Sequence, residues 1–173
     1  MTIISEKNHW LRQPYMPVSY ATIYLDLAVE RGVPATQVSQ HAGLNASLLS
    51  DLTGRISPQQ YVNLIAAVLA LTGDHGLGFE VGARQPLTAH GSLGYALLCC
   101  SRVDEAISLL LRFWHIRGRG IRLNSFQQSE NLVFEFHSDM PISEAIRRVL
   151  FDAMLSGFYH SLRFILSESQ LLG

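Results

Sequence analysis

Apolar residues keep one spacing as far as Arg117, change to a second, and then return to the first. Before Arg117 they recur at intervals of three and four, the period of a helix face. Across residues 120–126 and 132–137 they alternate, with Leu132, Phe134 and Phe136 on one side and a turn-like stretch at 127–131 between the two runs. Alternation of that length around a polar turn predicts an antiparallel hairpin. Two strands alone are marginally stable, so the hairpin must pack on helices. After Pro141 the helical period returns. Ile142, Ala145, Ile146, Val149, Leu150, Ala153 and Met154 form a stripe that Phe151, Leu155, Phe158, Leu162 and Ile165 widen. The expected fold class is α+β, mainly helical. It has a helical N-terminal half, one antiparallel β-hairpin at about 120–137 and a long C-terminal helix at about 142–166. So wide an apolar face needs cover on two sides. Small residues at Ala153, Ser156 and Gly157 would let another helix cross closely.

The first half divides at its breakers. Residues 1–17 have no clear period and read as an arm, which Trp10, Tyr15 and Pro17 could dock on the domain at 18–173. A helix is expected at 19–31, facing inward with Ala21, Tyr24, Leu25, Ala28 and Val29 and stopped by Gly32. Pro34 opens a short helix ended by Gly43, and Asn45 caps another at 46–52. The next start is the best marked. Ser57, Pro58 and Gln60 supply N-cap, first-turn proline and capping box, and Gly73 stops the helix. A further helix, capped by Asp74 and ending at Arg84, would contain Gly76, Gly78 and Gly82. Each glycine costs about 1 kcal/mol against alanine in a helix interior, a cost that close backbone approach would offset.

Residues 84–117 read as a loop, an apolar helix, a turn and a second helix. Ser92 would cap the first helix, 93–100, which is apolar nearly all round and so expected to be buried. Ser101 and Asp104 make a capping-box-like start for the second, whose inner face is Val103, Ala106, Ile107, Leu110, Leu111 and Trp114. Arg112, Arg117 and Arg119 place positive charge at or beyond its C-terminal end, and Gly118 and Gly120 end it.

Composition narrows function. Of the 173 residues 48% are hydrophobic and 16% charged, so a partner or further chain is expected to cover part of the surface. The net charge is -1 and Lys7 is the sole lysine, a poor endowment for neutralising a nucleic-acid backbone. Residues 33–52 have the outline of a helix-turn-helix. Their second helix, however, carries Ala46, Ser47, Leu48, Leu49, Ser50 and Asp51, with no arginine or lysine to read bases, and a packing hairpin of helices is the plainer account. Cys99 and Cys100 are adjacent, about 100° apart on a helix, which disfavours a disulfide between them and suits core thiols in a reducing cytoplasm. No apolar run is long enough to span a bilayer. No two of the seven histidines stand at i, i+4 or i, i+2 with a carboxylate to complete a local site, so no metal is expected. Nor is there a nucleophile elbow or a phosphate-cradling glycine pattern, so neither an enzyme nor a cofactor is expected.

What remains is a small-molecule pocket. His90 and Tyr95 sit on the loop and first helix of 84–117, Arg84 precedes them, and Trp114 ends the second helix. An arginine beside an aromatic wall would suit an apolar, carboxylate-bearing ligand. Each residue also has a structural reading: Tyr95 and Trp114 as core, Arg84 as a helix-terminal charge, His90 as a brace for the loop.

GVPATQVSQHAGL at 32–44, the run 55–84, PLTAHGSLGYALLCC at 86–100 and the helix ending in RFW at 112–114 carry a resemblance. Together they resemble the effector-sensing, arabinose-binding-domain-like module of AraC/XylS-type bacterial transcription regulators. LTGDHGLGFEVG followed by HGSLGYA is its most specific part. The resemblance runs from about residue 21 to the end. It implies a module that senses a small molecule, often dimerises, and controls a following helix-turn-helix domain that contacts promoter DNA. Neither that domain nor its basic helices occur in this sequence, so a piece of a longer protein is expected. Expected partners are an apolar or carboxylate-bearing effector and a second copy of the chain, with DNA only through the missing domain and no membrane. Phe151, Leu155, Phe158 and Leu162 are the expected dimer or interdomain surface. A stand-alone small-molecule or lipid-binding module is the alternative.

Overall fold

The computed structural model describes residues 6–51 and 53–165. A 3-10 turn at Glu6–Arg12 opens the arm, and Met16–Pro17 (β1) closes it by pairing antiparallel with Arg55–Ile56 (β2). The arm is therefore tied to the domain through a ladder too short to leave an alternating pattern. It is also docked by Trp10, whose ring occupies the space a side chain at Gly120 would need.

Helix α1 (Ser19–Glu30) buries Ala21, Tyr24, Leu25, Leu27 and Ala28. Val29, expected inward, is 52% exposed, because Leu27 and Ala28 take the inner positions of that turn. Gly32, at φ 79°, ends the run. Helix α2 (Ala35–Ala42) stops at left-handed Gly43, and α3 (Ala46–Leu49) begins at Asn45, whose side chain accepts from Ser47 N–H. Both starts and the glycine stop follow the expectation, although α3 ends earlier than expected. Leu52, Leu166 and residues 1–5 lie outside the described residues.

Helix α4 (Pro58–Thr72) carries the full capping box. Ser57 Oγ accepts from Gln60 N–H, and Gln60 Oε1 accepts from Ser57 N–H. Helix α5 (Leu77–Arg84) begins two residues later than Asp74 would set it. Asp74 instead accepts from the Gly76 N–H, leaving Gly76 outside the helix. Gly78 and Gly82 lie within it against the long helix α8 (Glu144–Ile165). A Cβ on Gly78 would overlap the Val149 carbonyl, and one on Gly82 the Ala153 carbonyl and Gly157 nitrogen. The two backbones thus meet at the small residues that sequence marked on both helices.

Two expected caps are absent. Helix α6 (Ser92–Leu98) is preceded by Gly91, at φ 61°, and Ser92 makes no cap because it is already in the first turn. Helix α7 (Val103–Phe113) starts after Arg102, whose side chain makes no cap and pairs with Asp104 at 2.7 Å. Only Leu93, Gly94 and Leu97 of α6 are buried, and Tyr95 is 60% exposed. The helix lies on the surface with one face covered.

The hairpin pairs Ile121–Gln128 (β3) with Asn131–Ser138 (β4) in a continuous register from Ile121↔Ser138 to Gln128↔Asn131. The turn is therefore two residues, shorter than the expected 127–131, with Ser129 at φ 55°. One principal core gathers α1, α2, α4, α5 and the Val149–Leu150 segment of α8, while a smaller one holds Leu93, Leu97 and Ala106. The hairpin is fastened by rings. Phe136 stacks on Phe158 at 5.4 Å between centroids and meets Phe151 at 6.1 Å, and Trp114 lies 5.9 Å from Phe136.

Candidate functional site

Between the two cores the inner face of α7 does not close. Ile107 and Leu110 stay half-buried. They line a cavity of about 190 Å³ together with Leu93 and Leu97 of α6, Pro58, Tyr61 and Val62 of α4, and Met154, Phe158 and Leu162 of α8. Incomplete burial of this apolar face is thus the signature of an open space.

The polar groups of the lining enter from several elements. Tyr15 belongs to the arm, Tyr20 to α1, Tyr61 to α4 and Ser161 to α8; His90 ends a 3-10 turn at Leu87–His90, and Gln85, Arg117 and Arg119 lie in connecting segments. The Tyr20 hydroxyl lies 2.7 Å from His90 Nδ1, and the two rings meet edge to face at 5.8 Å. Burial pushes the Tyr20 hydroxyl up to about 12, against the opposing pull of the Arg117 charge. Burial also pushes His90 down to about 4, with Arg117 adding in the same direction. Both groups are therefore neutral at pH 7. Deeper in, Tyr24 packs edge to face on Tyr61 at 5.5 Å, and burial raises both phenols.

Arg117 donates from Nε to the His90 carbonyl at 2.8 Å and fills the space beside Gly91 that a Cβ would need. Gly91 thus serves the loop twice, by its positive φ and by making room for the guanidinium. Arg119 lies over the rings of Trp10 and Tyr15, at 5.7 and 5.9 Å. Trp114 donates its indole N–H to the Ile121 carbonyl at 2.6 Å, which fixes the start of the hairpin against the cavity. No aspartate, glutamate or lysine is among the described residues that line it.

Of the four candidate ligand residues, the fold brings His90 and Trp114 to the cavity and leaves Arg84 and Tyr95 outside its lining. Arg84 is held by Glu30 at 2.5 and 2.7 Å and by Glu80 at 3.4 Å. Tyr95 faces outward. On α8, Phe151 and Phe158 are committed to Phe136, Phe158 and Leu162 line the cavity, and Leu155 is 51% exposed. The cavity residues that sequence reasoning passed over are Tyr20, Tyr61, Gln85, Arg117 and Arg119. The Arg-Gly-Arg-Gly run at 117–120 was the available signal, since its glycines flank charges with no acid near them in sequence. Among the described residues no group of His, Cys, Asp or Glu could hold a metal ion, and no helix is long and apolar enough to cross a membrane.

Geometry therefore defines a mainly helical α+β domain with an apolar cavity whose rim is basic. The profile of one family, the arabinose-binding N-terminal domain of AraC transcription regulators, matches residues 32–172, and this chain belongs to that family. It is 30% identical over 130 residues to the ornithine utilization regulator of Pseudomonas aeruginosa, covering 75% of this chain and 38% of that protein. It is also 25% identical over 120 residues to uncharacterized HTH-type transcriptional regulators of Mycobacterium bovis and Mycobacterium tuberculosis, covering 69% of this chain and 35% of each. The chain thus spans little more than a third of the length of these relatives.

Proposed function

We propose that this domain is the effector-sensing part of an AraC-type regulator and that the α4–α6–α7–α8 cavity receives the effector. The observation that carries the reading is a cavity with an almost wholly apolar wall and a few convergent polar groups, the usual composition of a small-molecule site. A ligand there would touch α8 and, through Trp114 and Phe158, the rings that fasten the hairpin. Affinity differing between two packings of these elements would shift their populations, and hence the presentation of a helix-turn-helix domain in the full-length regulator. Promoter contact belongs to that domain, and the setting is the bacterial cytoplasm. A homodimer through the outer face of α8 completes the reading. One relative is named for ornithine utilization, but a lining without carboxylates offers no counter-charge to ornithine's ammonium groups.

The test is a thermal-shift screen of small metabolites on the wild-type chain and on Ile107→Trp, which fills the cavity from α7. Ligands that stabilise the first and not the second support the reading, because a ligand bound only to the folded state raises its stability. Ligands whose shifts are unaltered by the filled cavity bind elsewhere and would overturn it.

A further inference from the structure

Six described arginines reach a carboxylate: Arg31, Arg84, Arg102, Arg122, Arg147 and Arg148. Arg117 and Arg119 belong to the cavity and have no acid within ion-pair distance among the described residues. Arg117 is half-buried, and its hydrogen bond to the His90 carbonyl is made by Nε. The two cavity groups that feel its charge, Tyr20 and His90, are neutral. A half-buried cation without a counter-charge is well placed to receive an anion, because the partly excluded solvent screens their attraction less than bulk water does. A guanidinium edge matches a planar carboxylate, with two parallel N–H donors. The rest of the lining is mostly apolar, a few hydroxyl, amide and imidazole groups aside.

We infer that Arg117, assisted at the rim by Arg119, is the seat for the carboxylate of an amphiphilic monocarboxylic acid whose apolar body occupies the cavity. The inference rests on the effector-cavity reading above and names its ligand class. A zwitterionic amino acid is disfavoured because no acid in the lining would meet its ammonium. Two arginines could also meet a phosphate, so the alkyl phosphate of the series is the competing anion that the titration separates from the carboxylate.

The experiment is calorimetric titration of the chain with straight-chain carboxylates from butanoate to decanoate, and with the alcohol, amine and alkyl phosphate of each length. At the best length the carboxylate should bind about tenfold or more tightly than the alcohol, and the amine weakest. In Arg117→Gln that ratio should fall to about one while alcohol binding stays within about threefold of wild type. Arg119→Gln should lower the ratio in part. If Arg117 only braces the loop through the His90 carbonyl, Arg117→Gln will weaken acid and alcohol equally, which overturns the inference. Equal binding of acid and alcohol to wild type, or tighter binding of the phosphate, overturns it too and leaves the cavity reading standing. No binding by any member of the series overturns the inference as well, while the cavity reading stands or falls on the metabolite screen with Ile107→Trp.

Discussion

His90 is the residue whose chemistry the fold alters most usefully. It sits against Tyr20 from α1 and the Arg117 guanidinium, and burial, before any charge, holds it neutral with a pKa near 4. An unfolded histidine titrates near 6.5. Between those values the unfolded chain binds a proton that the folded chain refuses, so stability is fully present above about pH 6.5 and is lost as the pH falls toward 4. Urea unfolding at pH 7 and pH 5 should show a loss of about 2 kcal/mol in the wild type beyond that in His90→Asn, which keeps a nitrogen or oxygen facing Tyr20. Equal losses in the two proteins would mean that His90 is open to water. Sequence put His90 in the segment that leads into the first helix of 84–117, and the fold winds that segment into a short 3-10 turn, Leu87–His90. Sequence placed Arg84 beside His90 only by order along the chain. The last turn of a helix also faces other helices, and Glu30 and Glu80 hold Arg84 on the side away from the cavity. Arg117 could not be read as its replacement, because what distinguishes it is an acid missing in space.

At the scale of elements, the crossing of α5 and α8 is set by glycines, and they are not equivalent. A methyl on Gly82 would meet the backbone of Ala153 and Gly157, which cannot move without shifting α8. A methyl on Gly157 would lie 3.7 Å from the Gly82 carbonyl, an ordinary contact. Gly82→Ala should therefore cost about 2 kcal/mol or more despite better helix propensity, as overpacking does. Gly157→Ala should be neutral or gain up to about 1 kcal/mol. Denaturant midpoints of the two variants check this. Two losses of equal size would refute the asymmetry. The small residues on both helices were visible in sequence because glycine inside a helix is expensive. The Ser57 start was visible because three signals coincide in four residues. The cap read at Ser92 was a single hydroxyl before an apolar run and that at Ser101 a hydroxyl with Asp104 three residues on, and neither serine caps. The β1–β2 ladder left no trace, since two residues cannot show a period.

Taken whole, the molecule hangs on α8, which serves three neighbours from different faces. Val149 and Leu150 enter the principal core, Phe151 and Phe158 hold the hairpin, and Met154, Ser161 and Leu162 line the cavity. The breadth of its apolar face in sequence foretold contact on two sides. It could not assign residues to sides, because the curl of the hairpin decides which rings it meets. What is left outward is Leu155, Tyr159 and Phe164, at 51%, 57% and 75% exposure. Leu155 and Tyr159 are four residues apart and so share a face. This is the surface proposed for the second copy, and it separates from the packing role of its neighbours. Leu155→Glu with Tyr159→Ser should leave the far-UV spectrum unchanged and alter folding stability of the monomer by no more than about 0.5 kcal/mol each, as surface changes do. It should halve the mass found by light scattering. Phe158→Ser should instead cost roughly 3 kcal/mol by emptying the ring cluster, and loosen the hairpin first. A wild-type chain that is monomeric at all concentrations, or a dimer that survives the double change, would remove this face from the interface and leave the cavity and its arginines untouched.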